Sequence, residues 1–290
     1  MKAHQFFGLL ENCFAPSPNP RYLFLTDQIS ACLFKCRFVI EERQGLSAII
    51  GKVGFGKTSV VRCLVDGYID NPDYRIVLLP NGNFPSEMQL AKTISDELGI
   101  SKRRSMLGQL HEIRDFAIET YHKGGNVVIF IDEAQALRGS QFDFLRELLN
   151  FETNESKVIQ IVIAGQPEIE MKLATKSALV SRIILTSYLD TFTLEDMVKA
   201  IEHRVRVAGG QLDQVMNEKA LHSLYIASRG IPREIVKIAN AAMLLAAINE
   251  IRPISAELVE LAVDNILQSE ESLHVGPTEE TTELRRSAAD

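Results

Sequence analysis

The chain has 290 residues, of which 46% are hydrophobic and 24% charged. These values are typical of a soluble globular protein and exclude collagen-like, disordered and disulfide-scaffold classes. The formal net charge is -7, and residues 268–290, with six acidic and two basic side chains, account for -4 of it. An acidic total does not exclude a nucleic-acid partner, because phosphate contacts need only a local basic patch.

The cysteines at positions 13, 32, 36 and 63 lack the paired spacing of a zinc site. We expect them to be buried thiols in a reducing compartment. The first 20 residues do not read as a signal segment, and the longest apolar run, 241–248, is far shorter than the ~20 residues of a bilayer-spanning helix. The sequence therefore predicts a cytoplasmic protein without a membrane span.

Apolar runs alternate with helical patterns through the first two thirds of the chain. Strands are predicted at 46–50, 75–79, 127–131, 158–164 and 183–187, and helices at 57–68, 87–98, 107–122 and 141–149. This alternation is typical of a parallel sheet with helices packed on its faces, so the fold class is α/β.

Beyond Thr193, a candidate helix N-cap, the strand patterns stop. One helix runs from Leu194 to the glycine pair at 209–210, and others follow Asn217, Pro232 and Ser255. The predicted domains are an N-terminal segment with a helix (1–44), the α/β core (45–190), a helical subdomain (191–267) and a disordered acidic tail (268–290).

A phosphate-binding pattern, Gly-Lys-Val-Gly-Phe-Gly-Lys-Thr, occupies residues 51–58 between a predicted strand and a helix. Its glycines let successive N–H groups point into one concavity, and the helix N-terminus adds positive potential. Lys57 would hold the β- and γ-phosphates, and the Thr58 hydroxyl would bind Mg²⁺. The predicted nucleotide contacts are Gly51, Val53, Gly54, Phe55, Gly56, Lys57, Thr58 and Ser59. The alternative is a glycine turn without a ligand.

Two acidic residues, Asp132 and Glu133, follow the buried run 127–131. Open parallel sheets place their ligands at the carboxyl ends of the strands. Asp132 is suited to assist Mg²⁺ binding, and Glu133 to orient and polarise an attacking water. The alternative is a pair of solvated acids at the start of a loop. Together with the phosphate loop, the pair predicts a nucleotide hydrolase.

The segment Asp132-Glu133-Ala134-Gln135 resembles the acidic box of AAA+ ATPases. Other segments are similar to one branch of them, the general-secretion-pathway A-type ATPases and the DNA transposition regulators of the TnsC, TniB and phage Mu B kind. These segments are 6–9 with Phe14, Pro18 and 20–23, then 165–168 and 228–233. The resemblance spans about residues 5–266. It implies a P-loop AAA+ core with a five-stranded parallel sheet and a small C-terminal helical lid, ATP and Mg²⁺ as ligands, and a homo-oligomeric ring or filament.

The resemblance also implies roles for three side chains. Gln166, at the tip of the fourth strand, would be the polar sensor between water and γ-phosphate. Arg182, before the fifth strand, would be the arginine finger inserted into a neighbouring subunit's site. Arg233 would be the lid sensor that touches the γ-phosphate. An arginine supplied by a neighbour would make hydrolysis depend on assembly.

Alternatives remain for these assignments. Arg182 is otherwise an ordinary surface arginine, with Arg204 and Arg206 as competitors for the finger role. A polar residue such as Arg233 is in any case favoured beside a proline at a helix start. Tyr22 and Leu23 would bracket the adenine, or else are core residues.

A basic cluster, Lys102-Arg103-Arg104, lies in the loop after the second predicted helix. By analogy with the pore-facing loops of ring ATPases, these charges would track DNA phosphates in an assembled oligomer. The alternative is a solvated loop beside acidic helices.

These features lead to two hypotheses about function. The first is an ATPase that assembles on double-stranded DNA and regulates transposition by selecting targets and recruiting a transposase. The second is a general-secretion-pathway A-type ATPase that drives envelope or secretin assembly. Members of the latter family usually carry a membrane span and a cell-wall-binding module, which the sequence does not display, and the first hypothesis is preferred on that ground. A nucleotide-binding adaptor with little turnover is a further alternative, against which Glu133 argues.

Overall fold

The computed structural model describes residues 2–153 and 156–274, with the side chains of 269–274 left out. Two compact units divide these residues. One is Pro18–Thr191, and the other combines the described parts of Met1–Ser17 and Phe192–Asp290.

The strands are β1 (Leu46–Gly51), β2 (Tyr74–Leu79), β3 (Asn126–Ile131), β4 (Ile159–Gly165) and β5 (Ile183–Leu189). The helices are α1 (Ala3–Phe6), α2 (Asp27–Glu41), α3 (Lys57–Asp66), α4 (Glu87–Leu98), α5 (Met106–His122), α6 (Gly139–Leu148), α7 (Glu168–Ala174), α8 (Ser177–Val180), α9 (Leu194–Val207), α10 (Leu212–Val215), α11 (Glu218–Ser228), α12 (Pro232–Ile248) and α13 (Ala256–His274). Short 3-10 helices occupy Pro20–Tyr22 and Ala134–Ala136.

The five strands form one parallel sheet in the order β2-β3-β4-β1-β5. Every residue of β1, β3 and β4 is buried, as expected for central strands covered by helices on both faces. The sheet order places β1 beside β4, and β4 beside β3. The α/β fold class and the five predicted strands are confirmed, with boundaries that differ by one or two residues.

The predicted helices are present, and the structure adds elements that the sequence pattern did not separate. Helix α2 begins after Thr26, whose hydroxyl accepts the N–H of Ile29 at 3.2 Å. Short helices α7 and α8 connect β4 to β5. None of the helices within the described ranges is both long and apolar enough to cross a membrane.

The start of the predicted disordered tail was placed too early. Helix α13 continues through Gln268 to His274, because residues 268–274 are polar but contain neither glycine nor proline to end the helix. The rest of that predicted tail, 275–290, lies outside the described residues.

Residues 2–17 pack with the helical unit, which divides the predicted N-terminal segment 1–44 near Ser17. The guanidinium of Arg204 on α9 donates to the carbonyl oxygens of Cys13 (2.7 Å) and Ala15 (3.1 Å). The N–H of Leu10 donates to the Ala208 carbonyl at 2.9 Å. These contacts join positions almost 200 residues apart, so local patterning carried no sign of them. They also give Arg204 a structural role.

We expect Arg204→Ala to lower the free energy of unfolding by about 2 kcal/mol, because the charged donor of two backbone hydrogen bonds is lost. Arg206→Ala, an exposed neighbour on the same helix, should change it by no more than about 0.5 kcal/mol. Urea denaturation followed by circular dichroism measures both. Equal stability of the two variants would contradict the assigned role of Arg204.

Candidate nucleotide-binding site

The phosphate loop joins the carboxyl end of β1 to the first residue of α3. Gly54 and Gly56 have φ angles of +83° and +89°, a left-handed conformation that strongly favours glycine. At Gly51 a Cβ atom would lie 3.0 Å from the Leu189 carbonyl oxygen of β5, a tight contact that favours glycine at this position. The first N–H groups of α3 lack partners within the helix, as at any helix start. The backbone therefore has the conformation of an anion cradle.

The side chain of Lys57 lies within this loop and is only 5% exposed. Its ammonium donates to the carbonyl oxygens of Gly51 (2.8 Å) and Lys52 (3.1 Å). Burial lowers the pKa of Lys57, and the negative charges of nearby acids, Glu133 first among them, oppose that shift. The ammonium is thus held at the loop by neutral carbonyl groups, which phosphate oxygens can replace.

Thr58 and Asp132 connect the loop to the end of β3. The Thr58 hydroxyl donates to Asp132 Oδ2 at 2.6 Å, and Asp132 Oδ1 accepts the N–H of Glu133 at 2.8 Å. Asp132 is only 4% exposed. A hydroxyl and a carboxylate at this distance are oxygen donors of the type that Mg²⁺ prefers, so the residues present fit a magnesium–nucleotide complex.

Glu133 has an unusual backbone conformation, with φ +47° and ψ 39°. A non-glycine residue in this left-handed region costs on the order of 1–3 kcal/mol, and such residues concentrate at functional sites. Glu133 Oε2 accepts a hydrogen bond from Gln166 Nε2 at 3.3 Å. The structure therefore brings together the predicted water-activating carboxylate and the predicted sensor from two adjacent strands.

Gln135 is a further member of this cluster that the sequence interpretation did not assign. Its side-chain amide donates to Glu133 Oε2, and its Oε1 accepts the backbone N–H of Gln166 at 3.1 Å. Gln135 is the last residue of the Asp-Glu-Ala-Gln segment that resembles the acidic box, so its place in the sequence pointed to the site. The side chain's direction depends on the 3-10 turn that follows Glu133, which the pattern did not reveal.

Arg182 lies away from the phosphate loop of its own unit. It precedes Ile183, which is paired with Leu46 at the opposite end of β1 from Gly51. Five residue steps at ~3.3 Å place these two ends roughly 16 Å apart. The Arg182 guanidinium donates to Ala178 O (2.5 Å) and Asn150 Oδ1 (2.6 Å). Its finger role stays a prediction.

The structure also gives the positions of three further residues, Tyr22, Leu23 and Arg233. Their roles stay predictions. Tyr22 is buried in the 3-10 turn Pro20–Tyr22, which packs on α3, and Leu23 is half-buried beside it. The Arg62 guanidinium of α3 donates to the Pro18 carbonyl at 3.1 Å and ties this segment to the phosphate-loop helix. Arg233 is exposed in the first turn of α12, within the helical unit.

The basic cluster Lys102–Arg104 is partly neutralised. The Lys102 ammonium lies 2.6 Å from an Asp96 carboxylate oxygen, and the Arg103 guanidinium pairs with Glu112. These acids lie on α4 and α5, the helices on either side of the loop. This arrangement favours the alternative of a solvated loop beside acidic helices, because two of the three charges already have partners.

Sequence comparison places the site in a known family. Residues 40–173 match the AAA domain family. The α/β unit has the P-loop AAA+ fold. General secretion pathway protein A of Aeromonas hydrophila is 33% identical to this chain over 246 residues, which are 83% of the chain and 44% of that relative. The chain thus spans less than half the length of this relative.

Solved structures support the AAA+ fold across both units. Cdc6p from Pyrobaculum aerophilum has a TM-score of 0.70 at 18% identity. The match covers 94% of this chain and 74% of the Cdc6p chain. The ORC2 protein of Aeropyrum pernix, in ADPNP-ADP complexes, has a TM-score of 0.68 at 16% identity. The match covers 89% of this chain and 72% of the ORC2 chain. The RuvB Holliday junction branch migration motor of Thermotoga maritima has a TM-score of 0.51 at 15% identity. The match covers 83% of this chain and 69% of the RuvB chain. At these identities the likeness shows the fold alone.

The AAA+ part of the sequence resemblance is confirmed, and so is its P-loop fold with a helical C-terminal region. The likeness to the secretion-pathway A-type proteins is supported by the 33% identical relative. The likeness to transposition regulators stays a prediction.

Proposed function

We propose that this AAA+ protein binds ATP with Mg²⁺ and hydrolyses it. The observation that carries the proposal is the 2.6 Å contact between Thr58 of the phosphate loop and Asp132 at the end of β3. It joins the predicted phosphate site to the predicted acidic site, and Glu133 and Gln166 lie in hydrogen-bond contact beside it. The AAA domain match and the P-loop ATPase fold support this activity.

In this proposal some residues of the site bind the nucleotide and others act on the attacking water. The loop N–H groups and Lys57 bind the phosphates, with Tyr22 proposed beside the adenine. Mg²⁺, when bound through Thr58 and Asp132, neutralises phosphate charge. Glu133 orients the attacking water and accepts its proton, and the Gln166 amide lies where it can donate to the water or to a phosphate oxygen. For Arg233 we keep, as a proposal, the role of γ-phosphate sensor that the sequence resemblance implies.

We expect Glu133→Gln to lower the turnover of ATP by about 100-fold or more, since a positioned general base contributes on this scale. Nucleotide affinity should stay within about threefold of wild type, because the carboxylate acts on water and not on the bound phosphates. Phosphate release and titration with a fluorescent ATP analogue measure the two quantities. Lys57→Ala is the control and should lose affinity. Wild-type turnover in Glu133→Gln would contradict the water-activating role.

We further propose that the active form is a homo-oligomer in which Arg182 of one copy completes the site of its neighbour. The distance along β1 and β5 supports this, because Arg182 lies at the opposite end of the strands from its own phosphate loop. A guanidinium from a neighbouring copy would stabilise the charge on the transferring phosphoryl group.

Mixing Arg182→Ala with Lys57→Ala protein should restore part of the turnover that each lacks alone. In a hybrid interface the intact phosphate loop of the first variant meets the intact arginine of the second. Lys57→Ala mixed with a Lys57→Ala/Arg182→Ala double variant is the control and should remain inactive. Failure to regain activity at any mixing ratio would argue against the role of Arg182 in a neighbouring site.

For the process that ATP drives, we propose a role of the secretion-pathway A type, in envelope or secretin assembly and from the cytoplasmic side. The 33% identity over 246 residues favours it. Because this chain spans only 44% of that relative, its length has no weight in choosing between this role and transposition. Transposition regulation, with double-stranded DNA and a transposase as partners, is the second candidate. Its support is the resemblance of the motifs and the loop at Lys102–Arg104.

Binding to duplex DNA separates the two candidates. On the secretion-type proposal, the affinity for DNA is the same with ADP and with a non-hydrolysable ATP analogue. On the transposition proposal, the analogue promotes rings or filaments on DNA, with an affinity that falls steeply as salt rises. In that case Arg104→Ala should weaken binding more than Lys102→Ala, because Lys102 is already paired with Asp96. Filter binding and electron microscopy across low to moderate salt distinguish these outcomes.

A further inference from the structure

We propose that Gln135 is a positioning residue that holds the carboxylate of Glu133 in place for its action on water. The inference rests on the proposed hydrolysis of ATP. It adds a residue that contacts both Glu133, which follows β3, and Gln166, which follows β4. Gln135 lies two residues after Glu133, in the 3-10 turn Ala134–Ala136, and its side chain is half-buried.

Both ends of the Gln135 amide are engaged. The NH₂ group donates to Glu133 Oε2, and Oε1 accepts the backbone N–H of Gln166 at 3.1 Å. A single side chain therefore contacts the proposed base and the backbone of the proposed sensor. Because an amide presents donors and an acceptor in one rigid plane, fixing one end restricts the other.

The surrounding backbone is shaped to admit this side chain. At Gly165, the last residue of β4, a Cβ atom would lie 3.2 Å from Gln135 Oε1 and 3.3 Å from Gln135 N. Any larger residue would push the turn away from the strand. From the other side, the Lys172 ammonium of α7 donates to the carbonyl oxygens of Gln135 and Leu137, the second at 3.0 Å. The turn is thus held against both β4 and the helix that follows Gln166.

The two amides that contact Glu133 Oε2 have different tasks in the proposed reaction. Gln166 Nε2 makes the longer contact, 3.3 Å, and is the group proposed to turn toward the γ-phosphate. When it does so, Gln135 is the amide that continues to hold Oε2. Glu133 Oε1 would then receive the proton from water. Loss of Gln135 would allow Glu133 to rotate at the moment when its orientation matters.

Two substitutions separate the contacts of Gln135. Gln135→Met has similar length but removes both the donor and the acceptor. Gln135→Glu is nearly isosteric and keeps an acceptor for the Gln166 N–H, but replaces the donor to Glu133 with a like charge. Gln89→Met, on the exposed face of α4, is the control for replacing a glutamine by methionine.

We expect kcat for ATP to fall by about 10- to 100-fold in both Gln135 variants, the scale of a base misplaced by about 1 Å. KM and the affinity for a fluorescent ATP analogue should stay within about threefold of wild type, since the phosphate-binding groups are untouched. Gln89→Met should match wild type in kcat, in KM and in the affinity for the fluorescent analogue. Circular dichroism confirms that each variant is folded, and the nearly isosteric Gln135→Glu keeps the test available if Gln135→Met does not fold.

Amide hydrogen exchange at Gln166, followed by NMR without nucleotide, is independent of activity. Gln135→Met should speed exchange of this N–H by about 10-fold or more, because its acceptor is lost, whereas Gln135→Glu should leave it slow. Unchanged exchange in Gln135→Met would show that the contact does not form.

The outcomes for the inference and for the proposed function are distinct. If the wild-type protein binds no nucleotide or shows no turnover, the proposed function fails. If wild type hydrolyses ATP and Gln135→Glu retains its kcat, the positioning role fails while the proposed function stands. If KM rises as much as kcat falls in both variants, Gln135 supports nucleotide binding instead, and the positioning role is also overturned.

Discussion

The candidate site depends on one constraint, which is that parallel strands place their carboxyl ends at the same edge of the sheet. In the order β2-β3-β4-β1-β5, the strand that carries the phosphate loop lies beside β4, and β4 lies beside β3. The loop, the Gln166 tip and the acidic pair are therefore neighbours in space although they are separated by up to 115 residues in the chain. The 2.6 Å contact between Thr58 and Asp132 is the direct result. A change in strand order would separate these groups even if every motif were kept.

The same constraint underlies the proposal that the active form is a homo-oligomer. The amino ends of the strands lie at the opposite edge of the sheet, and Arg182 precedes the amino end of β5. A residue there is excluded from its own phosphate loop by the length of the strand. The proposal that Arg182 acts in the site of another copy starts from this separation.

The sequence predicted those parts of the structure that depend on local pattern. Short apolar runs indicated all five strands, and the glycine spacing indicated the loop, because each depends on residues close together in the chain. Contacts between distant segments were not predictable in this way. The binding of residues 2–17 by Arg204, and the pairing of Lys102 and Arg103 with acids on flanking helices, depend on tertiary packing. The helix at 268–274 was missed because polar composition alone does not end a helix.

The acidic pair shows how adjacent residues of the same chemistry acquire different tasks. Asp132 directly follows β3 and is buried. Its two oxygens accept hydrogen bonds from the Thr58 hydroxyl and the Glu133 N–H, so it is held as a fixed acceptor. The left-handed backbone at Glu133 directs the chain into the 3-10 turn, and the Glu133 carboxylate accepts hydrogen bonds from the side-chain amides of Gln135 and Gln166. Amide contacts are weaker than ion pairs and can be exchanged. A carboxylate that accepts hydrogen bonds from amides can exchange one of these partners for water, as the general-base role proposed for Glu133 requires.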